Sequence, residues 1–101
     1  MSFRLRTSRR AGRQIREAAE WWLLHREKPP LAFSEDLDDA LHLIAELPRV
    51  GEPVQHAATP GVRRLLLTRT RYHLYYVVDE AARTVELLTL WHTSRARPPK
   101  L

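Results

Sequence analysis

The stretch RYHLYYVVDEAARTVELLTLWHTSR, residues 71–95, decides the predicted fold of this chain. It contains two runs rich in β-branched and aromatic residues, 71–79 and 84–91, separated by a polar turn, which is typical of two paired strands. A similar run at 62–69 follows a segment, 49–61, whose glycines and prolines predict a loop. Because the links between the three runs are short, we expect them to form an antiparallel meander.

Upstream of the meander, the spacing of apolar residues predicts one strand and two helices. Residues 3–7 alternate apolar and basic side chains, and Ser8 is placed to cap a helix over 9–27. The Pro-Pro pair at 29–30 interrupts that helix, and a second helical stripe of apolar residues runs over 30–47. The predicted fold is therefore α+β with the order β-α-α-β-β-β, a helical hairpin packed on one face of a mainly antiparallel sheet.

Length and composition predict one ordinary globular domain over residues 1–101. The chain is 44% hydrophobic and 29% charged, which suffices for one modest core and excludes a long apolar membrane span. It has no cysteine, and its five histidines lack the spacing of metal ligands, so we expect no metal and no cofactor. The N-terminal segment is rich in arginine and has no apolar signal core, which favours a cytoplasmic location.

Charge is distributed unevenly along this basic chain, whose formal net charge is +5. Six arginines precede the first acidic residue, Glu17, and eight of the twelve acidic residues lie between Glu17 and Glu46. Residues 47–101 then hold nine Lys or Arg against four Asp or Glu. Folding that brings the two basic ends together predicts one positive face for nucleic acid or an acidic protein, and the alternative is arginine kept for solubility.

Pairing of the last two predicted strands determines which polar side chains meet. We expect the turn at 79–83 to pair Val78 with Val85. That register predicts three further pairs: Tyr72 with Trp91, Arg71 with His92, and His73 with Leu90. It therefore brings the exits of both strands, with their basic side chains, to the same edge of the sheet.

In this register four basic side chains converge on one side of the predicted sheet: Arg63, Arg71, His73 and His92. Clustered guanidinium groups lower the pKa of a nearby imidazole and stabilise negative charge on phosphate, as metal-free RNA cleavage requires. Either Glu52 or His92 would then act as the base. The alternative is a set of structural polar contacts around the end of a strand.

Five short segments carry a resemblance to a known family through their order and spacing: FRL at 3–5, AEW at 19–21, PGVRRL at 60–65, YHLYYVVD at 72–79 and LWHTSR at 90–95. The chain resembles the toxins of the RelE/ParE superfamily from bacterial type II toxin–antitoxin systems. This resemblance covers almost the whole chain and implies the fold predicted above. It also implies an acidic, partly disordered cognate antitoxin that wraps the toxin in a hetero-oligomeric complex, with no membrane involved.

The superfamily divides by target, and the resemblance implies different chemistry in each branch. RelE-like members cleave mRNA at the ribosome, whereas ParE-like members poison DNA gyrase. His73 stands where the nucleases commonly carry a catalytic arginine, and Thr93 stands where one nuclease branch carries a tyrosine. Glu52 and His92 do match the acid and imidazole positions of that branch.

Two arginine patterns are closer to the ParE-like branch. They are the pair Arg63-Arg64 after Pro-Gly and the motif His92-x-x-Arg95. Our first hypothesis is therefore a ParE-like toxin of the plasmid stabilisation or addiction type that inhibits DNA gyrase. Five residues are predicted to contact the target or the antitoxin: Arg64, His73, Tyr72, Trp91 and Arg97.

Two alternatives to a gyrase inhibitor stay open at this point. One is a metal-free, ribosome-dependent mRNA endoribonuclease with five predicted catalytic residues: His92, Arg95, Arg63, Arg71 and Glu52. The other is a non-toxic module that keeps only the antitoxin-docking surface. The sequence alone leaves open whether the protein is an enzyme.

Overall fold

The structure, a computed structural model, describes residues 2–25 and 29–101. It contains β1 (Arg4–Thr7), α1 (Arg9–His25), α2 (Ala32–Glu46), β2 (Glu52–Pro53), β3 (Arg63–Leu67), β4 (Tyr72–Asp79) and β5 (Thr84–His92). The predicted α+β order is confirmed, with one addition, since the segment predicted as a loop contains the two-residue strand β2. The end of the first predicted helix, residues 26 and 27, lies outside the described residues.

The strands form one mixed sheet in the order β1-β5-β4-β3-β2. Strands β2 to β5 pair antiparallel, as the short links predict. Strand β1 instead pairs parallel to β5, with Arg4 opposite Thr84. The helical hairpin therefore connects β1 at one edge of the sheet to β2 at the opposite edge, and the meander β3-β4-β5 then leads back to β1. Within the part of the chain that the structure describes, neither helix is long and apolar enough to cross a membrane.

Ser8 connects the start of α1 to the sheet. Its hydroxyl accepts a hydrogen bond from the amide of Ala11 at 3.0 Å, which confirms the predicted helix cap. The same hydroxyl lies 3.0 Å from the carbonyl of Leu88, to which it donates. One side chain thus fixes both the beginning of α1 and the position of the helix on β5.

Both helices pack on one face of the sheet, which we call the helix side; the opposite face is the second face. Alternate residues of β4 point into the core, and two of them, Leu74 and Tyr76, are 0% exposed. They meet Phe33 and Ile44 from α2 and Val85 from β5 in the same cluster. The intervening residues of β4 therefore lie on the second face.

A β-bulge in β5 changes the predicted register. Val78 pairs with Val85 as predicted, but a shift between Tyr75 and Tyr76 leaves Leu88 as an extra residue on β5. The observed pairs beyond the bulge are Tyr72 with His92, His73 with Trp91, and Leu74 with Leu90. The three pairs predicted for that end of the strands were wrong by one residue: Tyr72 with Trp91, Arg71 with His92, and His73 with Leu90.

Gln14 of α1 satisfies the polar groups at the bulge. Its side-chain oxygen accepts hydrogen bonds from the Thr89 hydroxyl at 2.8 Å and from the Leu90 amide at 2.9 Å. Both donors are buried beside the helix, where an unpaired polar group would be costly. Hydrogen bonds to α1 therefore hold the bulge in place. The alternation of apolar and polar residues along β5 does not predict it.

Candidate functional site

Four polar side chains lie together on the second face, and we call Glu52, Arg64, His73 and Tyr75 the second-face cluster. Arg64 lies directly opposite Tyr75 on β4 and directly opposite Glu52 on β2. Direct cross-strand partners share a face of the sheet, and His73 shares it because it precedes Tyr75 by two residues. Three of these residues were candidates from the sequence, and Tyr75 was not.

The Arg64 guanidinium joins the cluster together. Its Nε donates to Glu52 Oε1 at 2.5 Å, and its Nη1 donates to the Tyr75 hydroxyl at 3.4 Å. These two hydrogen bonds, that to Tyr75 first, raise the pKa of Arg64 above its ordinary value. The positive charge of Arg64 is therefore already paired within the cluster.

His73 is held as a neutral imidazole at neutral pH. Partial burial, and then the nearby charge of Arg64, lower its pKa below the ordinary histidine value, against an opposing effect of Glu52. Arg71 lowers the pKa further, so its charge is also felt at this site. The His73 ring lies edge-on to that of Tyr75, with 6.0 Å between the ring centroids. A neutral ring can accept a proton or a hydrogen bond from a partner.

Tyr76 positions Glu52 from the helix side. Its hydroxyl donates to the carbonyl of Pro48 at 2.7 Å and accepts from the amide of Gly51 at 2.8 Å. A Cβ at Gly51 would lie 2.6 Å from that hydroxyl and 2.7 Å from the carbonyl oxygen of Arg64. Burial raises the pKa of Tyr76, which keeps the hydroxyl protonated and able to donate. Glycine is therefore required directly before Glu52.

Arg63 lies on the helix side rather than with the cluster. It is directly opposite Tyr76, a core residue. Its Nη1 donates to the carbonyls of Gly51 at 2.7 Å and Arg49 at 3.2 Å. Arg63 thus holds the backbone that leads into β2, and its predicted convergence with His73 on one side of the sheet was wrong.

His92 also lies on the helix side, because the bulge places it opposite Tyr72. The two rings meet edge to face with their centroids 4.8 Å apart, and Tyr72 packs against Phe33 of the core. The Nδ1 atom of His92 accepts the amide hydrogen of Ser94 at 3.1 Å and lies 2.8 Å from the Ser94 hydroxyl. The predicted convergence of His92 with His73 was therefore wrong.

Arg71 occupies the turn between β3 and β4 in the left-handed region, with φ of 68°. Its carbonyl accepts a hydrogen bond from the amide of Thr93 at 2.9 Å, which joins this turn to the end of β5. The predicted proximity of Arg71 to the strand exit is therefore seen in the backbone. Asp36 of α2 supports the same turn by accepting from the Thr70 amide and hydroxyl, both at 2.8 Å.

The segment after β5 returns over the second face. The Arg95 guanidinium lies 4.0 Å from the centroid of the Trp91 ring, and the Trp91 indole donates to the carbonyl of Arg97 at 2.8 Å. Trp91 is directly opposite His73, so this contact begins beside the cluster. Three of the predicted site residues, Trp91, Arg95 and Arg97, are therefore brought together here.

The end of that segment forms one wall of a cavity of about 450 Å³. The opposite wall is the segment 52–57, and Arg64 and Tyr75 line the cavity between them. The wall consists of Pro98, Pro99 and Leu101. The sequence prediction missed this wall because these residues have no strand or helix periodicity, whereas the spacing of two from His73 could have identified Tyr75.

A second concave surface runs along the helical hairpin. We call it the hairpin groove; it has a volume of about 730 Å³ and lies between α1, α2 and the end of β1. Its lining combines apolar side chains with basic ones: Ile15, Leu37, Leu41 and Leu87 with Arg9, Arg13 and Arg16. The arginines of the chain therefore do not gather on one sheet face as predicted, since these three border the groove and Arg64 and Arg95 lie on the second face.

Within residues 2–25 and 29–101, no three His, Asp or Glu side chains lie close enough together to hold a metal ion. The chemistry available in the second-face cluster is that of a neutral imidazole, a phenol and a paired guanidinium–carboxylate. These groups can form hydrogen bonds and bind charged surfaces, and the imidazole can accept a proton.

Solved structures similar to this one are toxins and toxin–antitoxin complexes. The RelBE2 complex of Mycobacterium tuberculosis matches with a TM-score of 0.66 and 22% identity, over 91% of this chain and 99% of the other. The chromosomal ParDE system of P. aeruginosa matches with 0.69 and 16%, over 90% and 96%. The intact E. coli RelBE complex matches with 0.66 and 19%, over 93% and 100%. At these identities the likeness shows a shared fold.

Sequence comparison identifies the family directly. Among curated proteins none matches this chain. A family model described as the ParE toxin of the type II toxin–antitoxin system parDE matches residues 5–97, which is nearly the whole chain and includes every strand but the first residue of β1. The chain therefore belongs to the ParE toxin family, within the RelE/ParE superfamily that its fold shares.

Proposed function

We propose that this type II toxin acts by binding DNA gyrase, as a plasmid stabilisation or addiction factor. The match to the ParE family over residues 5–97 supports the assignment to the gyrase-directed branch. The structural observation that carries the proposal is the separation of Glu52 and His92. Glu52 pairs with Arg64 on the second face, whereas His92 packs against Tyr72 on the helix side.

This separation matters because RNA cleavage without a metal needs a base and an acid at the same ribose and phosphate. Each must come within hydrogen-bond reach of the proton that it moves. Two groups on opposite sides of a sheet do not reach one phosphate. The arrangement therefore favours a toxin that binds its target over one that cleaves RNA with Glu52 and His92.

The state of Arg64 supports the same conclusion. A guanidinium that stabilises a pentavalent phosphorane must be free to meet the phosphate oxygens. Arg64 is instead hydrogen-bonded to Glu52 and Tyr75. An Arg beside an aromatic ring is a frequent anchor in the recognition of a protein surface.

We also propose that the partner is a cognate acidic antitoxin that docks in the hairpin groove. The groove offers apolar side chains for an amphipathic segment and three arginines for its acidic residues. Related toxins are seen in complex with antitoxins in the M. tuberculosis and E. coli structures. A partly disordered segment that folds in the groove would give a hetero-oligomeric complex without using the second face.

A supercoiling assay with purified gyrase tests the proposal. The full chain should inhibit negative supercoiling of relaxed plasmid, and an excess of the antitoxin should relieve the inhibition. Arg97→Ala on the second face should weaken the inhibition, whereas the matched change Arg13→Ala in the hairpin groove should leave it unchanged. Normal supercoiling at high toxin concentration would refute gyrase as the target.

The ribonuclease is the second candidate because His73 is a neutral imidazole flanked by Arg64 and Tyr75. After induction in cells, primer extension on translated mRNA should then reveal new 5′ ends. Replacing His73 by Ala would lower cleavage by about 100-fold or more if His73 transfers a proton. A gyrase inhibitor should be less sensitive to that change. If no new 5′ ends form, the nuclease is ruled out, and harmless overexpression would indicate a non-toxic antitoxin-binding module.

A further inference from the structure

We propose that residues 96–101 act as a strap that closes over the second-face cluster and must be released before a target can reach it. The strap itself is inferred from contacts within the chain. Its role as a gate rests on the proposed function, because it assumes that the target binds the second face. Closure of the strap over the cluster and its role as a gate are therefore measured separately.

The strap is held at three points by three different parts of the molecule. Its carbonyl groups accept hydrogen bonds from the Trp91 indole at 2.8 Å, the Arg10 guanidinium at 3.0 Å and the Thr59 amide at 3.0 Å. These donors belong to β5, to α1 and to the segment after β2. The strap therefore extends from β5 to the other side of the cluster rather than pointing away from the protein.

Burial shows what the strap covers. Both helices pack on the helix side, yet Tyr75 on the second face is only 2% exposed. Pro99 is buried as well, and with Pro98 and Leu101 it lines the same cavity as Tyr75 and Arg64. The strap, together with the segment 52–57 on the opposite wall of the cavity, thus lies over the tyrosine of the cluster.

The chemistry of the strap allows its release without unfolding of the core. Pro98 and Pro99 have no amide hydrogen to donate, so this part of the segment cannot add a full strand to the sheet. The three hydrogen bonds come from side chains and a loop amide, and residues 93–98 and Lys100 are exposed. Segments with few buried contacts open at a lower free energy than the global unfolding of the protein.

Tyrosine nitration of the full chain tests the physical claim. In Pro99→Asp a charge replaces the buried proline, so Tyr75 should be nitrated at least tenfold faster than in the wild type. Tyr76, which is 0% exposed in the core, should stay protected in the same sample and reports that the fold is intact. The matched control is Ala96→Asp, which adds the same charge at an exposed position of the strap and should leave Tyr75 protected.

Hydrogen exchange gives a second readout that does not depend on a buried substitution. In the wild type, the Trp91 indole and Thr59 amide hydrogens should exchange faster than the amides of β4, since they are released with the strap alone. Exchange of all these hydrogens at one common rate, or equal nitration of Tyr75 in Pro99→Asp and Ala96→Asp, would overturn the strap.

Gyrase inhibition then tests the gate separately. Pro99→Asp should inhibit supercoiling at a lower concentration than the wild type or Ala96→Asp. If Tyr75 becomes exposed while inhibition is unchanged, the strap opens but is not a gate, and the functional claim is wrong. If none of the three proteins inhibits gyrase, the proposed target is wrong, and the gate at that target with it, whereas nitration still decides whether the strap exists.

Discussion

The two sides of the same sheet use their polar side chains differently. On the helix side, Tyr76 and Arg63 bind backbone carbonyls and hold the segment that leads into β2. On the second face, Arg64 and His73 are only half-buried and have shifted pKa values. Neighbouring residues of β3 thus divide between one that holds the backbone, Arg63, and one that belongs to the second-face cluster, Arg64. The bulge at Leu88 assigns His92 to the supporting side.

The largest expected effect is the loss of a core side chain on the helix side. Leu74→Ala should lower the free energy of unfolding by about 2–5 kcal/mol, because Leu74 is fully buried between the sheet and the helices. Urea unfolding followed by circular dichroism measures this loss. His73→Ala, one residue away on the second face, is the matched control and should cost far less. Equal losses of stability in Leu74→Ala and His73→Ala would show that the two sides of the sheet contribute equally to the free energy of unfolding.

The next largest effect is expected at Gly51, which lies between residues from both sides of the sheet. Gly51→Ala places a methyl group against the Tyr76 hydroxyl and the Arg64 carbonyl, so it should destabilise the protein by about 1–3 kcal/mol. It should also displace Glu52 from Arg64. Gly61→Ala is the control for backbone strain without a steric clash. A Cβ at Gly61 would meet no atom within 4 Å, but the φ of 76° there favours glycine. Unchanged stability in Gly51→Ala would contradict the close packing at this position.

A smaller effect is expected from breaking the ion pair of the cluster. Glu52→Gln should lower the free energy of unfolding by about 0.2–1 kcal/mol, because Glu52 is exposed and Arg64 is only half-buried. It should also lower the pKa of His73 further, since Glu52 raises that pKa. NMR titration of the His73 ring measures the shift, with Glu80→Gln at another exposed ion pair, that with Arg49, as the control. A pKa of His73 that does not change would place Glu52 outside the cluster.

The smallest effect is a pH dependence of stability that comes from His73. Its pKa in the folded chain lies below the ordinary value, so the unfolded chain binds more protons as the pH falls. The contribution of His73 is therefore complete above the ordinary histidine pKa and is lost as the pH falls toward the lowered value. Between about pH 8 and pH 5, the wild type should lose more stability than His73→Gln. Parallel profiles for the two proteins would refute this.

Much of the fold follows from periodicity in the sequence. Apolar spacing predicted both helices and the meander, and the hydroxyl of Ser8 predicted the cap, because each depends on residues close together in the chain. The bulge could not be predicted, since it depends on Gln14 reaching across from α1 to β5. The parallel pairing of β1 with β5 likewise joins distant segments. Short-range patterns therefore determine the elements, and long-range contacts determine the register.

The candidate site was predicted in parts. Glu52, Arg64 and His73 were each singled out, and the structure brings them together on one face. The strap was missed because two prolines in an irregular segment have no strand or helix periodicity, whereas Tyr75 was missed although its spacing of two from His73 places both on one face. Their roles in binding are still predictions, and the gyrase and nitration assays above address them.

The pairing of β1 with β5 has a consequence for the synthesis of this toxin. Residues 4–7 pair with residues 84–87, which lie 80 positions later in the chain. Contacts between such distant segments form late and slowly. A nascent or prematurely terminated product that lacks Thr84 onward has no place to dock its first strand. The sheet that carries the cluster therefore reaches its full set of strands only after β5 has been synthesised.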